Sequence, residues 1–461
     1  MTRPTISRTL DRVFAPKTVA VLGASSTRGK LGHSVLALLD QNGFEGRIVP
    51  VNPKGGEILG RPCVSSVRDI EGEVDVALLV VPAEHSLEGL RDCAAAGVGA
   101  VVAITSGFAE SGEAGRANEL ALRDILRDAP FRMIGPNCEG VVCPRHKLQM
   151  TFSPMFNDMR DGPVVLISQS GALSGMIANR LSRRGIGFRA VVTTGNETDV
   201  TATDLLEWCA EDPDVKVVLA YLEQVRDPER FVAAARRLRQ QGRSLVVLKG
   251  GRSQAGGEAA ASHTGALAGD DRVTAGVFRE LGIVRARDSA AAIDATAALF
   301  MGKPLHGSRV AVVSIAGGFG VEMTDLAETS GFVVPELSEG TQSELRRLLP
   351  FYGATRNPVD LTGTAVAKSS IMHEALQVVL REPGIDALVV VVTFSQDPAF
   401  AEAIIAANRA STKPVIVVWT GGADQNPGAT ALLLEAGIPT FDAPARALTG
   451  LLALRNTGLV S

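Results

Sequence analysis

Aromatic side chains are scarce in this sequence: 2 Trp, 2 Tyr and 16 Phe among 461 residues, 4% in all. Proteins that hold single-stranded nucleic acid stack the bases on such rings, and the chain has few to offer. Basic charge is not in excess either. Lys and Arg number 46 against 50 Asp and Glu, a formal net charge of −4, so no electrostatic footprint marks nucleic acid as a partner. Long apolar runs are missing. The longest, such as Ala387 to Phe394, fall far short of the ~20 residues a membrane helix needs, and no membrane partner is expected. The N-terminal Met1-Thr2-Arg3-Pro4-Thr5 carries no apolar signal segment. Five cysteines (Cys63, Cys93, Cys138, Cys143 and Cys209) show no C-x-x-C spacing. They predict reduced thiols in a cytoplasmic protein, with neither a disulfide framework nor a zinc site. His33, His85, His146, His306 and His373 lack partners at metal-ligand spacing, so no metal site is expected on this chain.

What is present is glycine, 48 residues of it, in a chain that is 46% hydrophobic. Short apolar strands alternate with helical patterns, as in Thr18–Leu22, Ile48–Val51, Val76–Val81 and Ala100–Ile104. Such alternation predicts parallel sheets with right-handed crossovers. A second unit opens at Pro163–Ile167 and a third at Arg309–Val313, with linkers expected at 144–162 and 302–308. The fold class read here is α/β: three consecutive Rossmann-like or flavodoxin-like doubly wound parallel-sheet domains, at 1–147, 160–302 and 306–461.

Each unit opens with strand, small-residue turn, helix. The N–H groups at a helix start point outward and the helix dipole favours negative charge there. The first turn runs from Gly23 through Ser25 and Ser26 to Gly32. Ser25 stands where a dinucleotide fingerprint has its middle glycine. Asn52-Pro53-Lys54 follows the second strand, where a ribose-binding acid would stand. That argues against an NAD-dependent oxidoreductase, and Lys54 favours another phosphate-bearing ligand. The second turn is Ser168-Gln169-Ser170-Gly171. Its hydroxyls suit a phosphate cradle and equally an ordinary helix N-cap. The third turn, Ser314-Ile315-Ala316-Gly317-Gly318, is open to the same two readings.

His263 lies in Ala261-Ser262-His263-Thr264-Gly265, small residues without a bulky neighbour, read as a mobile loop. Imidazole is a nucleophile near neutral pH. A histidine so placed suits phosphoryl uptake at one place and release at another, although one such residue alone is a weak signal.

Taken together, these motifs resemble the α subunit of the NDP-forming acyl-CoA synthetases, relatives of succinyl-CoA synthetase. The resemblance covers nearly the whole chain. It rests on Val21–Ser25, Pro50–Lys54, Ser106–Glu110, Gly135-Pro136-Asn137-Cys138, Ser168–Ala172, Ser262–Gly265, Ala316–Gly318 and Asn357–Gly363. It implies that acid, CoA and ATP are interconverted with acyl-CoA, ADP and phosphate through an acyl phosphate and a phosphohistidine. It further implies that His263 is the phosphohistidine and that Glu223 orients it, with Glu197 ranked behind. CoA would meet Gly23, Ser25, Ser26, Lys54, Ser106, Gly107, Phe108 and Asn137, with His33 at its nucleotide end. Phosphate would be held by Ser168, Ser170 and Gly171 on one side and Gly317 and Gly318 on the other. Cys138 is read as a small buried residue.

The family also needs an ATP-grasp module for ATP or ADP and Mg2+, and this chain has no residues left to build one. The resemblance therefore implies a partner ATP-grasp β subunit in an αβ or α2β2 enzyme acting on a small carboxylic acid. The alternative is a CoA-binding regulatory protein that has lost ligase activity.

Overall fold

In the computed structural model of the chain, residues 4–264, 270–367, 369–393, 395, 397–422 and 426–458 are described, the side chains of 260–264, 366–367 and 457–458 excepted. The apolar runs become the strands. In Thr18–Leu22 all five residues are buried, as a strand covered on both faces requires. It pairs in parallel with Arg47–Val51 on one side and Val76–Leu79 on the other. Ala100–Ala103 and Arg132–Ile134 extend the sheet, again in parallel. Strand order therefore reverses beside Thr18–Leu22. A crevice at the carboxyl ends of the strands opens at such a reversal.

A second sheet has the order Val284–Ala286, Ser244–Lys249, Val217–Leu222, Asp161–Ser168, Phe188–Thr193, Gly140–Cys143, Leu148–Thr151. Its first five strands are parallel. The last two are an antiparallel hairpin, antiparallel also to Phe188–Thr193. That hairpin corrects the expected linker at 144–162. Pro144–His146 forms one helical turn, Lys147 takes a left-handed conformation, and the chain folds back to pair Cys143 with Leu148. Gly140 is required there, because a Cβ would lie 1.9 Å from the Met150 carbonyl oxygen.

Residues 1–287 form one compact unit. The first two sheets share a continuous core in which Phe14 and Trp208 pack with ring centroids 4.5 Å apart and planes tilted by 46°. Arg132, at the edge of the first sheet, donates from Nε to both Asp199 carboxylate oxygens at 2.9 and 3.0 Å, and Asp199 also accepts from the Met133 N–H. Each fully buried Val or Leu of these strands contributes roughly 1.5–3 kcal/mol by leaving water.

Residues 288–461 form the other unit. Its sheet is parallel, ordered Val359–Asp360, Val310–Ser314, Ala387–Thr393, Val415–Thr420, Thr440–Phe441. Helix Ser289–Met301 packs here against helix Pro444–Gly458. The buried Asp294 carboxylate accepts from Arg446 Nε and Nη2 at 2.8 and 2.7 Å. Among the described residues no helix is long and apolar enough to cross a membrane.

Candidate functional site

Parallel strands end together, so the loops that follow them gather along one edge of each sheet. In the first sheet these loops carry the residues singled out for CoA. Gly23 has φ +93°, and a Cβ there would lie 2.9 Å from the Val80 backbone. Its N–H reaches the Val51 carbonyl at 3.0 Å. Gly32 packs onto the turn so closely that a Cβ would lie 2.0 Å from the Gly23 oxygen. Asn52 ties the next loop to this one, donating from Nδ2 to the Ala24 carbonyl at 2.8 Å and accepting from the Lys54 N–H at 2.9 Å. The Lys54 side chain is exposed, as are Ser26 and the rest of the turn through Lys30. His33 Nδ1 lies 3.3 Å from the Ser25 carbonyl oxygen. Helix Leu31–Gln41 starts without a side-chain cap, so its first N–H groups are open to an anion.

The third of these loops differs from expectation in one residue. The Phe108 ring is 1% exposed and belongs to the core of the first sheet. It is a packing residue there, a member of the buried cluster that also holds Leu122 and Phe131. The backbone of Gly107 and Phe108 is occupied as well: both N–H groups donate to Glu110 Oε1, at 2.6 and 3.1 Å. Ser106 is exposed. Asn137, at φ +58°, donates to Asn196 Oδ1 at 3.2 Å. Asn196 in turn donates to Glu110 Oε2 at 2.6 Å. Burial would raise the Glu110 carboxyl, but these hydrogen bonds outweigh it and hold the group below its ordinary range. Asn196 and Glu110 thus join the loops of the first two sheets. Their separation of 86 residues hides the pair from any local pattern. Cys138 is buried, and burial pushes its thiol up to about 12.

The second sheet brings Ser168, Gln169 and Glu223 together at its carboxyl edge. Ser168 loops its hydroxyl back, donating to the Ser170 carbonyl at 2.6 Å and accepting from the Ser170 N–H at 3.1 Å. Neither serine caps helix Gly171–Ser182, whose N-cap Ser170 makes no side-chain bond to it. By contrast Thr201 and Asp227 cap the helices after the next two strands. The ordinary N-cap reading of the Ser168–Ser170 hydroxyls is thus not what the turn shows, and its helix start stays open. Gln169 is 5% exposed. Its Oε1 accepts from the N–H groups of Glu223 and Gln224 at 2.6 and 3.0 Å, and its Nε2 donates to the Gln224 carbonyl at 3.0 Å. This amide pins the end of the neighbouring strand to the turn. Glu223 Oε1 accepts from the Tyr221 hydroxyl at 3.1 Å. Its carbonyl accepts from Lys249 Nζ at 2.6 Å.

His263 does not lie on a loop. Its backbone belongs to helix Gln254–Thr264, which Ser253 starts by accepting from the Gly256 N–H at 3.1 Å. Gln, Glu and four alanines favour helix, and they outweigh Gly256 and Gly257 in the first turn. The His263 and Thr264 side chains and Gly265 lie outside the described residues. The helix follows strand Ser244–Lys249, next in the sheet to the strand that ends at Leu222, one residue before Glu223, and it packs on Ala109–Ser111. A cavity of about 260 Å³ opens beside that turn, lined by Ala109, Arg116, Glu119, Arg123, Gln224 and Arg226. Glu197, the lower-ranked carboxylate, is 3% exposed. It accepts from the Thr194 hydroxyl and the Ala202 N–H, each at 2.9 Å, and burial pushes its carboxyl up. It organises its own turn.

In the other unit Ser314 repeats the Ser168 turn bond for bond. Its hydroxyl donates to the Ala316 carbonyl at 2.7 Å and accepts from the Ala316 N–H at 3.0 Å. Helix Gly317–Thr329 likewise starts without a side-chain cap, with Gly317 and Gly318 at its head.

Comparison with known proteins covers the chain end to end. A CoA binding domain family matches residues 17–144, a succinyl-CoA ligase like flavodoxin domain family 161–299, and a ligase-CoA domain family 310–453. The α subunit of acetate–CoA ligase [ADP-forming] I from Pyrococcus furiosus is 39% identical over 96% of this chain and 97% of its own. The acetate–CoA ligase [ADP-forming] of Methanocaldococcus jannaschii is 36% identical over 77% of this chain, a match that spans 49% of that longer polypeptide. A solved structure of the dinucleotide forming acetyl-coenzyme A synthetase 1 of Ca. Korarchaeum cryptofilum, in complex with phosphate and ADP, superposes with a TM-score of 0.89. It is 32% identical and covers 98% of this chain and 97% of its own.

Proposed function

The chain belongs to the family of ADP-forming acyl-CoA ligase α subunits built from succinyl-CoA ligase-like domains, and from that premise we propose that it forms acyl-CoA with a nucleotide-binding partner. The reaction joins a carboxylic acid and CoA at the expense of ATP, with ADP and phosphate as products. The observation that carries this reading is the end-to-end match to an α subunit, 96% of one chain against 97% of the other.

CoA is held along the carboxyl edge of the first sheet. The uncapped start of helix Leu31–Gln41 and the exposed Lys54 meet its phosphates, with Ser25 and Ser26 between them. Gly23 and Gly32 are fitted to this task, since a side chain on either would fill the turn against which the phosphates lie. Ser106, Gly107 and Asn137 border the path of the thiol arm. Phe108, buried in the core of the first sheet, supports that loop.

His263 accepts the phosphoryl group. Glu223 serves as the carboxylate that fixes the imidazole tautomer, which leaves the other ring nitrogen as nucleophile. Ser168, Ser170 and Gly171 receive phosphate at the open start of helix Gly171–Ser182, where oriented N–H groups stabilise charge on the transferring oxygens. Gly317 and Gly318 offer a second start of the same kind. Nucleotide and Mg2+ enter with an ATP-grasp β subunit, in an αβ or α2β2 assembly, a reading supported by the name of the matching relative, an α subunit. The substrate is a small carboxylic acid.

The test is intact-mass analysis of the chain mixed with its β partner, ATP and Mg2+. One added phosphate, lost in acid, stable in base and absent from His263→Ala, is expected. CoA that raises the melting temperature with no phosphate ever added would sink the ligase reading and leave a regulatory CoA-binding protein.

A further inference from the structure

Glu139 sits beneath the turn Ser168–Gly171. It is 8% exposed, and its Oε2 is buried with no hydrogen-bond partner among the described residues. A Cβ added at Gly171 would lie 2.8 Å from Glu139 Cβ and 3.0 Å from that oxygen. The carboxyl is therefore aimed at the first residue of helix Gly171–Ser182. That helix has 12 residues and no side-chain cap, so its first N–H groups await an anion from elsewhere.

Among the described residues nothing around Glu139 balances a negative charge. Thr193 Oγ1 accepts from the N–H groups of Glu139 and Gly140, at 2.8 and 2.7 Å, and donates to the Gly140 carbonyl. The Ser153 hydroxyl approaches the carboxyl from the hairpin side, and no ionised side chain among the described residues acts on it. The titratable neighbour is Cys138, whose buried thiol stays neutral. Burial pushes the Glu139 carboxyl up, and the Ser153 hydroxyl opposes this without cancelling it. The other unit repeats the placement: a Cβ at Gly317 would lie 2.9 Å from Asp360 Oδ2.

We propose that Glu139 governs anion affinity at this turn: a seated phosphate and an ionised Glu139 exclude one another, so the turn fills as Glu139 takes up one proton and empties as it loses it. Like charges a few ångströms apart cannot both persist in a partly dry site. The proton comes from solvent and returns to it, and no covalent bond changes. Glu139 is in this sense a positioning residue that controls how tightly phosphate is held. The inference rests on the reading of Ser168–Gly171 as a phosphate site.

Sulfate is the probe, because it stays a dianion from pH 6 to 9. Titration calorimetry of the full chain, in buffers of different ionisation enthalpy, counts the protons taken up per sulfate bound. Wild type is expected to take up close to one at the alkaline end, with affinity falling about tenfold per pH unit there. Glu139→Gln, and Glu139→Met as a second variant, are expected to bind with no uptake and a flat profile. Sulfate binding in which wild type takes up no proton, or in which both variants keep the uptake, overturns the role of Glu139 alone. Failure of wild type and variants alike to bind sulfate overturns the phosphate reading of the turn, and this proposal with it.

Discussion

Two side chains do more than their position in the sequence suggests. Gln169 lies between the serines of its turn, and its amide satisfies three backbone groups at Glu223 and Gln224. Gln169→Ala leaves those groups buried and unpaired, at about 1–3 kcal/mol for each that water cannot reach. The expected result is a loss of about 2 kcal/mol in urea denaturation, together with slower phosphoryl uptake because the Glu223 strand end is released. A loss below about 0.5 kcal/mol would show that water replaces the amide. Glu382, in the other unit, is an acid-stability residue. Burial opposes its ionisation, but the Ser338 and Thr341 hydroxyls and the N–H groups of Gly384 and Ser338 prevail and hold it at about 2. A carboxyl with a depressed folded value adds stability above its unfolded value, near 4.5. That stability disappears as pH falls toward 2. Glu382→Gln is expected to cost about 2–3 kcal/mol at pH 7. It should also flatten the loss between pH 4.5 and 2, as followed by denaturation at each pH.

The three strand–turn–helix openings share one feature: their helices begin uncapped, at Lys30, Ser170 and Ala316, as do the helices that start after Pro82, Gly112 and Ser369. These openings were legible in the sequence because strand, glycine turn and helix are all local signals. The Gly140–Thr151 hairpin was not, since Gly140–Cys143 is a four-residue run broken off by Pro144. Nor was the helix that carries His263, whose glycines resemble a loop until the alanines that follow are counted with them. Gln169 with Glu223, 54 residues apart, and Asn196 with Glu110 are long-range pairs that no spacing rule reveals. Gly32, in contrast, can be tested as an element-level device. In Gly32→Ala the new Cβ would meet the Gly23 oxygen at 2.0 Å, so the turn must open. CoA is expected to raise the melting temperature of wild type and to leave that of Gly32→Ala unmoved, at a stability loss of about 1–3 kcal/mol. An unchanged CoA response would remove this turn from the CoA site.

At the scale of the molecule, each of the two units encloses a hydrophobic core of its own. Each also holds an Asp–Arg pair in which the carboxylate is shielded and the arginine partly exposed, Asp199 with Arg132 in one and Asp294 with Arg446 in the other. The chain's two tryptophans divide between them, Trp208 at 6% and Trp419 at 1% exposure. Separate cores unfold separately unless something couples them. Without its aspartate Arg132 loses this ion pair, whereas Arg446 keeps Asp442, and a lost hydrogen bond to a charged group costs about 1.5–3 kcal/mol. In a Trp419→Phe background, fluorescence reports Trp208. There Asp199→Asn is expected to shift the urea midpoint strongly and Asp294→Asn hardly at all. A Trp208→Phe background should show the reverse. If both substitutions move both midpoints equally, the units unfold as one. Substitutions at Glu382 would then reach the Glu223 site through stability alone, and effects on phosphoryl transfer would have to be separated from folding by working far below the urea midpoint.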